Sequence, residues 1–213
     1  SLIKKSLKES KKTIVSIFVN PTQFNNIDDY KKYPRNNKKD ISLLKKLRVD
    51  FLYMPRKKDI YDFKRKSLIK IRKSDKILCA KFRRGHFEGV IDVMERLLNI
   101  IKPQRTYMGE KDFQQLYLVM KYTQKKDNNK IISCKTIRDA NKLAFSSRNK
   151  HLSKRELIKA GNISNEILSF KKNLLKNNNV KRNITQKKKE LINLFNIKID
   201  YFELRNIFNL KIS

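Results

Sequence analysis

Two short polar runs stand where apolar stretches stop: Gly109-Glu110-Lys111-Asp112-Phe113-Gln114-Gln115 and Phe145-Ser146-Ser147-Arg148-Asn149. The first puts a lysine and two carboxamides at an expected strand-to-helix junction, where unpaired amides and the positive end of a helix dipole already favour an anion. Carboxamides offer donor and acceptor together, which suits a small polyhydroxy acid. The second run offers two hydroxyls and a guanidinium within three residues. That set grips phosphate oxygens and stabilises charge developing on a pyrophosphate leaving group. Each also has a plain reading, Lys111 as one solvated lysine among many and Ser-Ser-Arg as loop surface.

A third run, Asn20-Pro21-Thr22-Gln23-Phe24, follows an apolar stretch, so Asn20 and Gln23 are expected to face the crevice beyond the strand ends; its plain reading is a turn. His86, in Arg83-Arg84-Gly85-His86-Phe87, is a candidate acid or base, but a lone histidine reads first as structural. His151 precedes a helix cap and carries less. The sequence has no Walker loop, no Ser/His/Asp order and no metal-ligand cluster. Cys79 and Cys134 stand far apart without a Cys-x-x-Cys, which predicts reduced thiols in a cytosolic setting.

The elements that must position these runs follow from periodicity. Leu2 to Ser10 is amphipathic and helical, and Thr13 to Val19 is a β-branched strand ending at Asn20-Pro21. Asp40 is expected to cap a helix through Ile41, Leu43, Leu44 and Leu47, before a strand from Phe51 to Met54. Val90, Val93, Met94, Leu97, Leu98 and Ile101 recur at helical spacing. A strand at Thr106–Met108, a helix from Phe113 to about Lys121 and a strand at Lys130–Ile137 come next. Strands separated by single helices predict an α/β fold with a parallel, doubly wound sheet. Beyond it, Ser153-Lys154-Arg155-Glu156 has the form of a capping box opening a helix to about Phe170. A Lys176–Lys181 loop, a helix over Gln186–Leu194 and a last strand near Ile197–Leu204 complete a smaller α+β domain. The domains are expected at 1–136 and 137–213.

Lys plus Arg number 53 against 20 Asp plus Glu in 213 residues, a formal charge of +33. Taken alone that charge suggests a basic nucleic-acid-binding protein. The basic residues are spread over nearly every element, however, and no RNP-type, zinc-finger or basic-zipper motif occurs. Abundant Lys, Asn and Ile with four Gly, four Pro and no Trp is what an AT-rich coding sequence produces on tolerant surfaces. The charge is therefore read as a statement about nonspecific attraction, with no specific nucleic-acid partner. No stretch approaches the roughly 18 apolar residues of a membrane span, and no signal peptide is visible.

In this order and spacing, SIFVNPTQF, YPR, RRGHFEGV, GEKDFQQL and SSRN resemble the pantothenate synthetase family, the pantoate and β-alanine ligases, over Ser1 to about Leu204. The resemblance implies a Rossmann-like nucleotidyltransferase (adenylyltransferase) sheet with a lid-like second domain, a cytoplasmic homodimer, and ATP used with Mg²⁺. It implies that pantoate and ATP give pantoyl adenylate and pyrophosphate, and that the β-alanine amine then displaces AMP. ATP contacts would fall on Gly109, Glu110, Lys111 and Asp112, on Ile137 through its backbone, and on Phe145, Ser146, Ser147 and Arg148. Pantoate would meet Gln23 and Gln115, with Gln23 also bordering the β-alanine path. Catalysis would rest on Lys111, Ser146, Ser147 and Arg148, by positioning and electrostatic stabilisation, with no metal-ligating residue assigned.

The departures are specific. The family opens with a strand and a His-x-Gly-His motif whose histidines meet the phosphates, one as proton donor, and Ser1-Leu2-Ile3 matches the residues immediately after that motif. The chain is thus expected to be short at its N-terminus and at its C-terminus. Two explanations stay open: a cut sequence whose enzyme carries the motif upstream, or a decayed remnant with little activity. Arg84 replaces the usual proline of Arg-Pro-Gly-His, and Asn141-Lys142-Leu143 replaces Asp-Gly-Leu.

Overall fold

The computed structural model describes residues 1–24, 26–61, 69–123, 129–174 and 179–212. The chain divides into two compact units, Ser1–Thr136 and Ile137–Ser213. In the first, the order is α1 (Leu2–Glu9), β1 (Ile14–Ser16), α2 (Ile27–Lys32), α3 (Asn37–Lys46), β2 (Phe51–Tyr53), α4 (Lys57–Ile60), α5 (Cys79–Phe82), α6 (His86–Ile101), β3 (Arg105–Gly109), α7 (Phe113–Thr123) and β4 (Lys130–Cys134). The second holds α8 (Lys154–Leu174) and α9 (Val180–Phe195).

Helix starts follow local hydrogen-bonding chemistry. The Ser1 hydroxyl accepts from the Lys4 amide at 3.3 Å to open α1. Helix α3 is capped by Asn36, whose carboxamide oxygen accepts from the Lys39 amide at 3.2 Å. Asp40, the expected cap, lies one turn further in, because Asn36 offers the same acceptor to the first unpaired amides. There Asp40 sits in the helix's first turn, where a carboxylate complements the dipole.

The strands are parallel, joined by helical crossovers. β1 pairs β2 with Ile14 opposite Phe51, and β3 pairs β4 with Arg105 opposite Lys130 through Gly109 opposite Cys134. Among the described residues these are two two-stranded sheets instead of the one continuous sheet expected. Between β1 and β3 lies a cavity of about 370 Å³ lined by Leu2, Ile3, Val15, Leu97, Leu98 and Thr106. Side chains of α1 and α6 border the space where a further ladder would run. β1 is also shorter than the apolar run Thr13–Val19. The Ile17 amide still donates to Tyr53, but Phe18 then turns onto the cluster around Ile60, Val93 and Leu97.

Helix α6 is the hub of this unit. Phe87 and Ile91 pack with Ile71 and Leu118; Val90 packs with Leu116, Val119 and Ile131; Val93 and Leu97 pack with Ile60. Its apolar residues cover well over half its circumference, as a helix buried on several sides requires. Ile91, at 1 % exposure, is the kind of residue whose truncation to Ala costs about 2–5 kcal/mol.

In the second unit the capping box forms as expected. The Glu156 carboxylate accepts from the Ser153 amide at 2.8 Å, and the Ser153 hydroxyl accepts from the Glu156 amide at 3.3 Å. Helix α8 runs past Phe170 to Leu174, and α9 starts at Val180, six residues earlier than expected; residues 176–178 of the expected loop lie outside the described residues. The expected strand near Ile197–Leu204 is not formed. That stretch alternates between half-buried and exposed residues, but the one pairing nearby among the described residues is an isolated bridge from Arg205 to Ile212. Period-two exposure reports an extended backbone, and a strand needs a hydrogen-bonding neighbour as well.

Candidate active site

The turn that carries Gln23 is built into α6. Asn20 is 2 % exposed: its Nδ2 donates to the Gly89 carbonyl at 3.0 Å, and its Oδ1 accepts from the Thr22 amide (3.2 Å), the Thr22 hydroxyl (2.9 Å) and the Tyr61 hydroxyl (2.7 Å). With Asn20 as cap, Pro21–Gln23 forms one 3₁₀ turn, its proline in the first turn where a missing N–H costs nothing. The expectation that Asn20 and Gln23 face one crevice therefore fails for Asn20. Its carboxamide is consumed in closing the turn, both its oxygen and its amide nitrogen being paired there. Gln23 itself is half-buried.

Three further groups hold this turn. A Cβ on Gly89 would stand 2.6 Å from the Thr22 carbonyl oxygen, so only glycine lets the turn lie this close to α6. Tyr61 is braced by Arg96 of α6, whose guanidinium stacks over the ring at 4.9 Å while its Nε donates to Asp92 at 3.0 Å. Burial pushes the Tyr61 phenol up, keeping it a proton donor toward Asn20. Beyond Gln23, Phe24 meets Tyr30 and Tyr33 edge-on at 5.4 and 5.6 Å, and Arg35 stacks over Tyr30. Tyr61 and Arg96 had no motif around them in the sequence. Gly89 lies inside the RRGHFEGV segment, and a glycine kept there in a chain with only four is itself the signal of a position that needs the absence of a side chain.

The second group lies at the end of β3. Gly109 closes the strand, Glu110–Asp112 forms a 3₁₀ turn, and α7 begins at Phe113. Lys111 and Asp112 are exposed, while Gly109, Glu110 and Gln115 are half-buried. The two carboxamides part company here. Gln114, 7 % exposed, turns inward and donates to the carbonyls of Asp75 (3.2 Å) and Ile77 (2.7 Å). Asp75 is itself held by Lys121 at 2.6 Å and by the Tyr122 hydroxyl at 2.7 Å. Burial works against the Lys121 charge, but the Asp75 hydrogen bond and charge outweigh it, so the lysine pKa is raised. Gln114 thus anchors the start of α7, while Lys111 and Asp112 stay exposed and Gln115 half-buried.

The third group belongs to the second unit. Arg138 and Ala144 form an antiparallel bridge, Phe145 donates its amide to the Ile137 carbonyl at 3.1 Å, and Asn149 Nδ2 donates to the Ala144 carbonyl at 3.1 Å. Ser146 caps a 3₁₀ stretch, Ser147–His151, its hydroxyl accepting from the Arg148 amide at 3.3 Å. Ser146 therefore spends an acceptor locally and keeps its O–H to donate. Phe145, Ser147 and Arg148 are exposed. At the tip, Lys142 has φ +65°, a left-handed backbone on the residue that stands where the resembled family has glycine.

Gln23, Gln115 and the 109–112 junction thus share one unit, on elements that pack against or abut α6 and α7. Ile137 and Phe145–Arg148 share the other. An α/β scaffold that presents polar groups at the ends of parallel strands, with a lysine at a helix start, is an arrangement suited to holding a phosphate-bearing ligand. The comparisons make this specific. The sequence profile of the pantoate-beta-alanine ligase family matches residues 1–213, and the chain belongs to that family. It is 46 % identical over 177 residues to the pantothenate synthetase of Flavobacterium psychrophilum, covering 81 % of this chain and 62 % of that protein. A crystal structure of pantothenate synthetase from Thermus thermophilus superimposes with a TM-score of 0.92 at 28 % identity, covering 100 % of this chain and 78 % of that one. The pantoate-beta-alanine ligase of Francisella tularensis, crystallised with βγ-ATP and β-alanine, matches with a TM-score of 0.78 at 40 % identity over 92 % of this chain and 70 % of that one. The chain spans about 62 % of the length of the Flavobacterium relative.

Proposed function

We propose that this chain carries the substrate-binding machinery of an ATP-dependent ligase that condenses pantoate with β-alanine. The pantoate carboxylate attacks the α-phosphorus of ATP, the bond to the β-phosphate breaks, and pyrophosphate leaves. The β-alanine amine then attacks the acyl carbon of pantoyl adenylate, AMP departs with the bonding pair, and a proton is lost from the new amide. What carries the reading is the match of the whole chain to one family whose relatives bear one activity. The anchored turn at Gln23 and the basic strand-to-helix junction at Lys111 are the local features it needs.

In this reading Gln23 and Gln115 hold pantoate, with Gln23 also at the edge of the β-alanine path. Gly109, Glu110, Lys111 and Asp112 hold the nucleotide, with the Ile137 backbone and Phe145–Arg148. Lys111 neutralises the phosphates, and Ser146, Ser147 and Arg148 take up charge on the departing pyrophosphate; these four are the catalytic residues. The first unit, 1–136, binds nucleotide and pantoate, and the second, 137–213, acts as the lid. Mg²⁺ travels with ATP, held by phosphates, waters and one or two carboxylates. Glu110 and Asp112 fit that mode, and among the described residues no group of three or more His, Cys, Asp or Glu offers an all-protein cage. When bound, the ion would draw charge from the triphosphate. A homodimer and a cytoplasmic location belong to the same reading; among the described residues no helix is long and apolar enough to cross a membrane.

Calorimetry with ATP and with pantoate, together with pantoate-dependent exchange of pyrophosphate into ATP, tests the assignment. Lys111→Ala and Arg148→Ala should each weaken ATP binding or exchange by more than about tenfold, as loss of a charge-assisted phosphate contact does. Wild-type behaviour in both variants would remove the site. The nucleic-acid alternative requires RNA binding that survives near-physiological salt, since purely electrostatic attachment falls steeply with ionic strength.

A further inference from the structure

His86 is the first residue of α6 and is 6 % exposed. Its Nδ1 lies 2.6 Å from the main-chain carbonyl oxygen of Gln23. A carbonyl can only accept, so Nδ1 carries the proton and donates it. The ring is pinned edge-on against Phe87 at 4.9 Å, and Phe87 is itself core. This tight hydrogen bond satisfies the last carbonyl of the 3₁₀ turn, a group that has no partner within such a turn.

The other end of the same turn is held by Asn20 donating to the Gly89 carbonyl. Positions 86 and 89 are three residues apart and so share one face of α6. One helical turn therefore grips both ends of the Gln23 turn, Gly89 at its start and His86 at its finish. Fixing the Gln23 carbonyl fixes the peptide plane after Gln23 and with it the direction in which its side chain leaves the backbone. Resting on the proposed pantoate contact of Gln23, we infer that His86 is a positioning residue: through its Nδ1–H it sets the orientation of Gln23 for the acid substrate.

The tests use the 213-residue chain. Long-range ¹H–¹⁵N correlation on the wild type should show His86 protonated at Nδ1; an Nε2–H tautomer would overturn the inference. His86→Asn places an N–H near the position of Nδ1, whereas His86→Gln places it near Nε2 and His86→Phe has none. Pantoate affinity by calorimetry should fall about tenfold or more in His86→Phe and His86→Gln, as loss of a buried donor predicts, and recover in His86→Asn, with ATP affinity unchanged throughout. Equal pantoate affinity in wild type and His86→Phe, or equal loss in Asn and Gln variants, would also overturn it. Absence of pantoate binding by the wild type would instead count against the proposed function. The clamp is then decided by the Gln23 carbonyl ¹³C shift, expected to stay near wild type in His86→Asn and to move in His86→Gln; the reverse pattern rejects it.

Discussion

The turn at residues 20–24 and the hairpin at 137–145, with the 3₁₀ stretch that follows it, are both seated on a helix through a glycine, yet they are held in opposite ways. At the first, Gly89 admits the Thr22 backbone and buried Asn20 and His86 tie down both ends. At the second, Gly161 of α8 admits Asn141, with hydrogen bonds closing the base of the hairpin, while Phe145, Ser147 and Arg148 remain exposed. The difference matches what each is proposed to bind. A small acid offers few groups to recognise, so affinity depends on orientation fixed beforehand. A polyphosphate offers many oxygens and much charge, and an arginine on a long stem can find them without a rigid frame.

The most severe way to break this comparison is to remove the close approach at Gly89. In Gly89→Ala the new methyl would meet the Thr22 carbonyl oxygen at 2.6 Å and its carbon at 2.8 Å, both backbone atoms. The turn must move, at a stability cost of about 1–3 kcal/mol in urea unfolding. Pantoate affinity should fall by more than about tenfold, measured by calorimetry, with a smaller effect on ATP. Full retention of pantoate binding would mean that Gln23 is not preorganised by α6.

Gly161→Ala is the matched experiment on the other loop. The methyl would lie 2.8 Å from Asn141 Cβ and 3.0 Å from its carbonyl oxygen. Asn141 is exposed at a hairpin tip, so it can lift away, and the cost should sit near the lower end of overpacking, about 1 kcal/mol. ATP binding should weaken a fewfold and pantoate binding should not change. A larger loss than in Gly89→Ala would reverse the order of rigidity argued above.

How much of this was legible in the sequence differs by feature. The longer helices α1, α3, α6, α7, α8 and α9 were readable from apolar spacing, and the α8 start from Ser153 and Glu156, because caps and amphipathic faces are local; the short α2, α4 and α5 were not. The order of parallel strands and helices was readable for the same reason. Strand lengths and pairings were not. Thr13–Val19 gave up its last residues to the core, and Ile197–Leu204 found no neighbour, since pairing depends on distant residues. Lys111 and the Ser146–Arg148 cluster could be picked out by residue type at element ends. The split roles of Gln114 and Gln115, and the inward commitment of Asn20, could not. Adjacent carboxamides look alike in a sequence, and only the position of the Asp75 and Ile77 carbonyls decides which one turns inward.

A smaller change tests whether the hairpin tip is strained. Lys142 holds φ +65°, a conformation that costs an L-residue about 1–2 kcal/mol, part of which glycine would return as backbone entropy. Lys142→Gly should therefore raise stability by less than about 1 kcal/mol, a shift of less than about 4 °C in thermal unfolding. A destabilised variant would show that the lysine side chain holds the tip by contacts that outweigh its backbone.

The least disruptive test concerns the support beneath that hairpin. The Ser153 amide and then the Ser153 hydroxyl hold the Glu156 carboxyl below its ordinary value of 4.5. A depressed folded-state pKa means stability that is present above the unfolded value and lost as pH falls through the folded one. The first turn of α8 should therefore loosen on acidification below about pH 4.5, seen as falling protection of the Leu157 amide, which donates to Ser153. Glu156→Gln keeps an acceptor for the Ser153 amide but cannot titrate, so its protection should stay flat over the same range. Since α8 carries Gly161, the comparison sharpens if ATP binding follows that protection while pantoate binding does not. Parallel loss of both on acidification in the wild type, absent in Glu156→Gln, would show that the two loops share a support, and the contrast between a rigid and an adaptable loop would fall.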